Sequence, residues 1–296
     1  MKLNKQKEFH DEVQFIAKIS SYQNTFTKSE KKVSDFVQAN MESTIYMTVT
    51  ELAERIGVGE TTVLRFCRKM GFKGYQSFKM AVTKEVAKST HDVFDETNKD
   101  EFNETDEVHF IVQKALSNNI QALKETASII ETSELEKAID YIISSKRIIF
   151  YGVGVSGNTA ADARDKFIRI GRSTEAFVDS HMQAMSATTL TKEDMAVGIS
   201  VSGSTKDTVD ALKIAKENGA KILSITHFTR SPITKISDVV LLTGGRETAL
   251  QGGSMSAKIA QLFVIDMLCN GVASQLKEKA LQFKEATAKA VADKAY

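Results

Sequence analysis

The chain has 296 residues, with 39 basic and 38 acidic side chains and a net charge of +1. This length indicates about two domains, and the balanced charge excludes a protein that coats nucleic acid non-specifically. Cys67 and Cys269 are too few for a disulfide-stapled secreted domain, and neither the cysteines nor the five histidines have metal-ligand spacing. We therefore expect no metal and no cofactor.

No uninterrupted apolar run reaches the roughly 18 residues that a membrane helix needs. The first twelve residues, MKLNKQKEFHDE, also lack the apolar core of a signal peptide. We therefore expect a cytoplasmic protein with no membrane partner.

The charge changes sign sharply near residue 90. Residues 61–90 hold seven basic side chains and one acid, a net charge of +6, whereas residues 91–110 hold eight acids and one lysine, a net charge of −7. Such a change indicates a domain boundary. Because residues 91–103 are also poor in apolar side chains, we interpret them as an acidic linker after a domain over 1–90. A solvated helix face is the alternative.

Before the linker, the apolar periodicity is that of short helices. Thr27 and Glu30 have capping-box spacing at the first helix, and Gly57-Val58-Gly59 forms a turn between the second and the third. A short helix, a glycine turn and a helix with cations on its outer side are typical of a helix-turn-helix domain. The predicted helices are Lys28–Ala39, Thr50–Ile56 and Glu60–Met70.

The third of these helices has the two faces of a DNA-recognition helix. Its apolar side consists of Val63, Phe66, Cys67 and Met70. Its polar side offers hydrogen-bonding groups for base edges and cations for phosphates. An ordinary amphipathic helix with a basic solvent side is the alternative. The predicted DNA-binding residues are Thr61, Thr62, Arg65, Arg68 and Lys69, followed by Lys73 and Tyr75 at the DNA backbone.

The stretch ELAERIGVGETTVLRFCRKMGFKGYQSFK, Glu51–Lys79, resembles the N-terminal domain of RpiR-type transcriptional regulators. The resemblance lies in the ELA helix, the segment TVLRFCRK at Thr62–Lys69 and the GFKGY that follows. At Gly59 the family usually has serine, which would cap the recognition helix and could contact a phosphate. Because glycine caps only slightly worse, we expect the helix to form.

Beyond the linker, residues 104–146 are predicted to form two connecting helices, and strands then alternate with helices over 147–296. The apolar positions of the connecting helices are Ile111, Ala115, Ile120 and Leu123, then Leu135, Ala138, Ile139 and Ile142. The predicted strands are Arg147–Tyr151, Thr174–Val178, Met195–Ser200, Lys221–Thr226 and Asp238–Leu242, and the main helices are Asn158–Ile170, the segment after Thr205 through Glu217, and Ser254 to about Ala273. This alternation predicts an α/β domain with a parallel sheet, helices on both faces, and ligands at the carboxyl ends of the strands.

Two strand-end loops are candidate phosphate sites. Gly152, Gly154 and Gly157 match the dinucleotide motif G-x-G-x-x-G, and Asp179 stands where an NAD-binding acid would be expected. The loop SVSGST at 200–205 offers a second, hydroxyl-rich cradle at a helix N-terminus, which suits a terminal phosphate. Because a dinucleotide fold has no need of the second cradle, we favour a sugar phosphate over a dinucleotide.

The pattern S-x-S-G-x-T at 200–205, together with Gly154-Val155-Ser156, resembles the SIS (sugar isomerase) domain, over about 147–273. The resemblance implies that the matching hydroxyls hold the phosphate of a phosphosugar. A helix-turn-helix domain followed by an SIS domain is the RpiR architecture, which implies operator DNA and a phosphosugar effector as partners. The predicted phosphosugar-binding residues are Ser156, Ser200, Ser202, Gly203, Ser204, Thr205, His181 and Glu247.

Two functions remain open at this point. The favoured one is a regulator of sugar or aminosugar catabolism whose operator binding responds to a phosphosugar, with an N-acetylated aminosugar phosphate as our leading guess. The alternative is a phosphosugar isomerase or lyase with an accessory helical domain, which would need a base such as Glu247 or His181, with Asp179 and His227 behind them. No catalytic pair is evident, so we predict no enzyme.

The apolar helix segment AKIAQLFVIDML at 257–268 has little polar surface, so it is predicted to be buried on several sides, in its own domain or against a second subunit. SIS domains commonly pair, as the resemblance implies. Two recognition helices in one assembly would read half-sites about 10 bp, or a multiple of that, apart. We therefore expect a homodimer or a higher homo-oligomer.

Overall fold

The computed structural model describes residues 19, 22, 25–89, 108–245 and 253–294. These residues divide into two compact units, one up to residue 89 and one from residue 108 onward. The predicted linker over 91–103 lies outside the described residues.

The N-terminal unit consists of helices. They are α1 (Lys28–Ala39), α2 (Met41–Thr44), α3 (Val49–Ile56), α4 (Glu60–Lys69) and α5 (Tyr75–Ser89). The predicted capping box at α1 is present, with Thr27 Oγ1 accepting from the Glu30 amide and the Glu30 carboxylate accepting from the Thr27 amide. A second box, Thr48 with Glu51, starts α3 one residue earlier than predicted.

The turn between α3 and α4 gives this unit its helix-turn-helix form. Gly57 ends α3 in the left-handed conformation, with a φ of 71°, which glycine adopts without steric cost. Gly59 is the N-cap of α4 and contributes no side-chain hydrogen bond. The hydroxyl of Thr50 on α3 donates instead to the carboxylate of Glu60, the first residue of α4. The two helices are thereby tied together across the turn.

The C-terminal unit contains a five-stranded parallel sheet with strand order β2-β1-β3-β4-β5. Its strands are β1 (Ile148–Tyr151), β2 (Thr174–Phe177), β3 (Met195–Ile199), β4 (Lys221–Thr226) and β5 (Val239–Leu242). Its helices are α6 (Val108–Ile129), α7 (Thr132–Ser144), α8 (Val155–Ile168), α9 (Ser180–Ala187), α10 (Lys206–Glu217), α11 (Met255–Leu276) and α12 (Glu278–Lys289), followed by a short 3₁₀ helix, Ala292–Lys294. Neither α9 nor α12 was predicted from the sequence.

Helices cover both faces of this sheet. Successive strand residues point to opposite faces, and β1 shows the result: Ile148 and Phe150 join one apolar cluster, with residues of α7, α8 and α11, whereas Ile149 and Tyr151 join another, with residues of α9 and α10. The predicted fold class, an all-α helix-turn-helix domain followed by an α/β domain, is confirmed.

The two helices expected to connect the domains both pack within the C-terminal unit. The α7 residues Ala138, Ile139 and Ile142 lie in the core as predicted. On α6, by contrast, Ile111 and Ile120 are exposed, and the buried positions are Ala122 and Thr126. Thr126 Oγ1 accepts from the amide of Gly244, at 2.8 Å, so α6 holds the segment that follows β5.

Among the residues that the structure describes, α11 is the one helix that is long and apolar enough to cross a membrane. Its environment is that of a core helix, because Val264 and Leu268 are fully buried against the sheet. Its charged residues pair with α8, where Lys166 meets Asp266. We therefore treat α11 as a core helix of the α/β unit.

Candidate functional site

Helix α4, the predicted recognition helix, separates core from surface as the sequence predicts. Val63, Phe66 and Cys67 are fully buried in the N-terminal unit. Burial raises the pKa of the Cys67 thiol to about 12, so this thiol stays protonated. The side chains of Thr61, Arg65 and Arg68 are exposed, and so is that of Lys73 beyond the helix. Gly59, just before the helix, is exposed as well.

Two predicted DNA contacts on α4 already have partners within the protein. Thr62 is 92 % buried, and its hydroxyl accepts a long hydrogen bond, 3.4 Å, from Arg65. Lys69 pairs with the buried carboxylate of Glu30 at 3.1 Å and donates to the carbonyl of Thr25. Burial alone would raise the pKa of Glu30, but hydrogen bonds from Thr27 and Lys69 outweigh it and hold this pKa below its usual value. The charge of Lys69 therefore balances Glu30.

Tyr75 faces the protein core, where the sequence reading expected a DNA contact. Its ring is buried, and its hydroxyl donates to the carbonyl of Met47 at 2.9 Å. Lys79 donates to the same carbonyl at 3.0 Å. Both contacts span about thirty residues of sequence, so local periodicity could not reveal them. The exposed polar face that remains consists of Thr61, Arg65, Arg68 and Lys73.

The two candidate phosphate loops follow neighbouring strands. From β1 the chain crosses to β2 on one side and then to β3 on the other. The ends of β1 and β3 therefore flank the point where the strand order reverses, the usual ligand position in such sheets. Ser156 follows β1, and the 200–205 loop follows β3.

The 200–205 loop is a compact hydroxyl cradle at the start of α10. Ser200 and Thr205 share a hydrogen bond between their hydroxyls, at 2.9 Å. The Ser202 hydroxyl accepts from the Ser204 amide at 3.2 Å, and the Ser204 hydroxyl donates to the Ser202 carbonyl. Thr205 is the N-cap of α10, yet its side chain makes no capping bond. The first-turn amides of α10 therefore remain available to an anion.

Gly203 has a steric reason to be glycine. Its φ is +60°, and a Cβ there would lie 2.2 Å from the hydroxyl oxygen of Ser231 and 2.9 Å from that of Thr226. The amide of Ile233 donates to its carbonyl at 2.9 Å. The end of β4 and the segment after it therefore pack against the cradle, where Ser231 is fully buried.

The first loop differs from its prediction, because α8 begins at Val155 rather than Asn158. Ser156 therefore lies in the first helical turn. Gly152 allows that turn to approach closely, since a Cβ on it would lie 2.6 Å from the Ser156 carbonyl oxygen, and a Cβ on Gly157 would lie 2.9 Å from Val178. Gly152 and Gly157 of the dinucleotide-like motif thus have local packing roles, whereas Gly154 adopts a positive φ of 60°.

Three further candidate residues, His181, Asp179 and His227, follow the ends of β2 and β4. His181 is exposed in the first turn of α9. The Asp179 carboxylate caps α9 by accepting from the amide of Met182 at 3.0 Å, so the residue considered as an NAD-binding acid has a structural role. His227 Nδ1 lies 2.8 Å from the Thr243 carbonyl. Glu247 lies outside the described residues. Within the described ranges, no cluster of His, Cys, Asp or Glu could hold a metal ion.

One residue in contact with Ser156 was missed from the sequence. Gln261 is buried on α11, and its Nε2 donates to the Ser156 hydroxyl at 3.1 Å. Its Oε1 accepts from the buried Thr159 hydroxyl at 3.0 Å. A polar residue within the apolar face of a helix was the available signal, because such an amide needs buried partners.

Comparison with known proteins covers both units. Residues 13–89 match the helix-turn-helix domain of the rpiR family, and residues 141–271 match the SIS domain. An HTH-type transcriptional regulator of Haemophilus influenzae is 38% identical over 274 residues, covering 90% of this chain and 94% of its own length. The HTH-type transcriptional regulator RpiR of Escherichia coli K12 is 29% identical, covering 87% of this chain and 86% of its own length.

Among solved structures, the Vibrio vulnificus NanR protein complexed with ManNAc-6P superposes with a TM-score of 0.82 at 26% identity, covering 95% of this chain and 98% of that one. The helix-turn-helix unit, the parallel sheet and the relatives agree. The chain belongs to the RpiR family of HTH-type transcriptional regulators, with an SIS domain after its DNA-binding domain.

Proposed function

We propose that this regulator binds operator DNA through the exposed face of α4 and that a phosphosugar in the 200–205 cradle controls that binding. The observation that carries the effector assignment is the position of the cradle. Its hydroxyls and the uncapped α10 N-terminus lie at the strand-order reversal, after β3, which is the neighbour of the strand that Ser156 follows. Hydroxyls and helix amides suit a phosphate dianion.

The ligand bound to NanR supports an N-acetylated aminosugar phosphate as the effector class. In this proposal Ser156, Ser200, Ser202, Ser204 and Thr205 surround the phosphate, and Gly203 keeps their loop tight. His181 and Glu247 contact the sugar. The working boundaries are 1–90 for DNA binding, 91–103 for the linker, 104–146 for the connecting helices and 147–296 for effector binding, in a cytoplasmic protein.

Calorimetry combined with operator titration tests this function. Ser202→Ala and Thr205→Val each remove one hydroxyl, and a hydrogen bond to a charged group contributes about 1.5–3 kcal/mol, so affinity for ManNAc-6P should fall about ten- to a hundredfold. Both variants should bind a DNA duplex selected from a random library as wild type does, but without a response to the sugar, because coupling between two ligands is reciprocal.

Two outcomes of these measurements contradict the proposal. Saturable NAD binding that Asp179→Ala weakens, without binding of any phosphosugar, would support the dinucleotide alternative. Turnover of a phosphosugar without any effect on DNA affinity would support the isomerase. We do not favour the isomerase, because the described cradle consists of hydroxyls and amides, which bind a phosphate but cannot act as the general base that an isomerase needs.

We also propose that the protein forms a homodimer and that its interface includes α6. Along that helix, Val108, Val112, Leu116 and Ile120 are exposed at intervals of four residues, with Val108 77% exposed. Positions four apart share one helix face, and exposed apolar stripes mark protein contacts. Leu116→Asp should lower the mass measured by light scattering, whereas Leu281→Asp, an exposed leucine on α12, should not.

A further inference from the structure

The amide of Gln261 is the polar group of an otherwise apolar helix face. It is 1% exposed, on the side of α11 that buries Ala257, Val264 and Leu268. A buried amide without hydrogen-bond partners would destabilise the fold, and both the oxygen and the nitrogen of the Gln261 amide have a partner. Its Oε1 accepts from Thr159, and its Nε2 donates to Ser156, at 3.0 and 3.1 Å.

Thr159 determines which way this amide points. Its hydroxyl is fully buried, and the other acceptor within reach, the Val155 carbonyl, lies farther away at 3.4 Å. The Thr159 hydroxyl therefore donates to Gln261 Oε1, which leaves Nε2 to face Ser156. An amide nitrogen donates and cannot accept.

The orientation of the Gln261 amide determines how the Ser156 hydroxyl can form hydrogen bonds. A hydroxyl has one hydrogen and two lone pairs, and one lone pair of Ser156 is occupied by Gln261. Its hydrogen is thus left for an acceptor on the open side, and a phosphate dianion consists of acceptors. We propose that Gln261, held by Thr159, is a positioning residue that presents Ser156 as a hydrogen-bond donor to the effector's phosphate, an inference that rests on the proposed function.

This network is separate from the general packing of α8 on α11. Farther along the same two helices, Lys166 of α8 pairs with Asp266 of α11. That pair joins the helices but does not contact the cradle residues. Asp266→Asn is therefore the matched control for a loss of helix–helix contact.

Calorimetry on the full chain tests the proposal, with ManNAc-6P, N-acetylglucosamine 6-phosphate, fructose 6-phosphate and inorganic phosphate as probes. Ser156→Ala should weaken binding about ten- to a hundredfold. Gln261→Met should cost less, because the Ser156 hydroxyl is freed but still present. Gln261→Glu should cost at least as much as Ser156→Ala, since a carboxylate draws the serine hydrogen to itself. Asp266→Asn should change affinity less than twofold.

The double variant separates a positioning role from a structural one. If Gln261 acts through Ser156, Gln261→Met causes no further loss in a Ser156→Ala background. Thr159→Val provides a second route, because it frees the amide to rotate, and it should also weaken binding only when Ser156 is present. Circular dichroism identifies variants that fail to fold.

The outcomes distinguish this inference from the proposed function. If wild type binds a probe and Ser156→Ala weakens it, but Gln261→Glu does not, the inference is wrong and the proposed function stands. Equal losses from Gln261→Met with and without Ser156 also overturn it. If wild type binds none of the four probes, the proposed function fails and the inference fails with it.

Discussion

The two proposed binding surfaces of this protein consist of different chemical groups. The face of α4 presents long cationic side chains in solvent, over a core that fixes only their spacing. The 200–205 cradle presents short hydroxyls and backbone amides, whose directions are set by hydrogen bonds within the protein, such as that between Ser200 and Thr205. Ligand binding by the first surface should depend on which cationic side chains lack an ion-pair partner within the protein. Ligand binding by the second should depend on the backbone geometry of the loop.

This difference predicts that the two surfaces fail independently, and removal of the aromatic core of the N-terminal unit should give the largest effect. Phe66 is fully buried and lies 5.1 and 5.6 Å, between ring centroids, from Phe26 and Phe78. Phe66→Ala should destabilise that unit by about 3–5 kcal/mol and abolish DNA binding. Calorimetry with the effector should still give the wild-type affinity; a parallel loss would show that the units are not independent.

A smaller effect should separate free from paired cations on α4. Arg68→Ala should weaken operator binding by about 1–3 kcal/mol if the arginine reads a base edge. Lys69→Ala should cost less DNA affinity, because its charge already balances Glu30. Anisotropy titrations at several salt concentrations measure both. An equal reduction of the salt dependence by the two substitutions would mean that Lys69 contacts a phosphate despite its pairing.

Acid should weaken both units, since each contains a buried carboxylate held in its ionised form. In the sheet unit, Arg147 donates two hydrogen bonds to the Asp194 carboxylate, at 3.1 and 2.8 Å. These hydrogen bonds are the main reason that the pKa of Asp194 is lowered. Glu30 is the counterpart in the N-terminal unit. A pKa lowered by folding contributes stability that is complete above the unfolded value, about 4, and is lost as the pH falls through the folded value.

Urea unfolding at pH 7 and below pH 4 measures this dependence. Asp194→Asn should cost about 1–2 kcal/mol at pH 7, because hydrogen bonds to a charged group are lost. The difference from wild type should shrink as the pH falls below about 4, because the wild-type carboxylate then takes up a proton on unfolding and its ionised contacts stabilise the folded state less. A difference that stays constant with pH would contradict the assignment.

Sequence patterns predicted the helices and strands that carry both proposed surfaces, but not the long-range contacts of the residues on them. The predicted bounds of α1 and β4 agree with the structure because caps and periodicity are local signals. The contacts that the sequence did not reveal join distant residues: Tyr75 with Met47, Lys69 with Glu30, and Ser156 with Gln261, which are 28, 39 and 105 residues apart. The early start of α8 has another cause, the positive φ of Gly154 at its N-cap.

The smallest predicted effect concerns Gly59, where the family usually has serine. The backbone there is extended, with a φ of −78° and a ψ of 151°, and an added Cβ would meet only the Thr61 hydroxyl at an ordinary 3.6 Å. Serine therefore fits without strain, and its hydroxyl can accept from the first-turn amides of α4. Gly59→Ser should raise the stability of the N-terminal unit by a few tenths of a kcal/mol.

Gly59→Ala is the matched control, because it adds the same carbon without the hydroxyl and should lower stability, alanine being a poor N-cap. The midpoint of thermal unfolding should be highest for the serine variant, intermediate for the wild type with glycine and lowest for the alanine variant. If serine also contacts a DNA phosphate, Gly59→Ser should increase operator affinity by a small factor and steepen its salt dependence, whereas effector affinity stays unchanged. A serine variant no more stable than the alanine variant would mean that residue 59 does not cap α4 through its side chain.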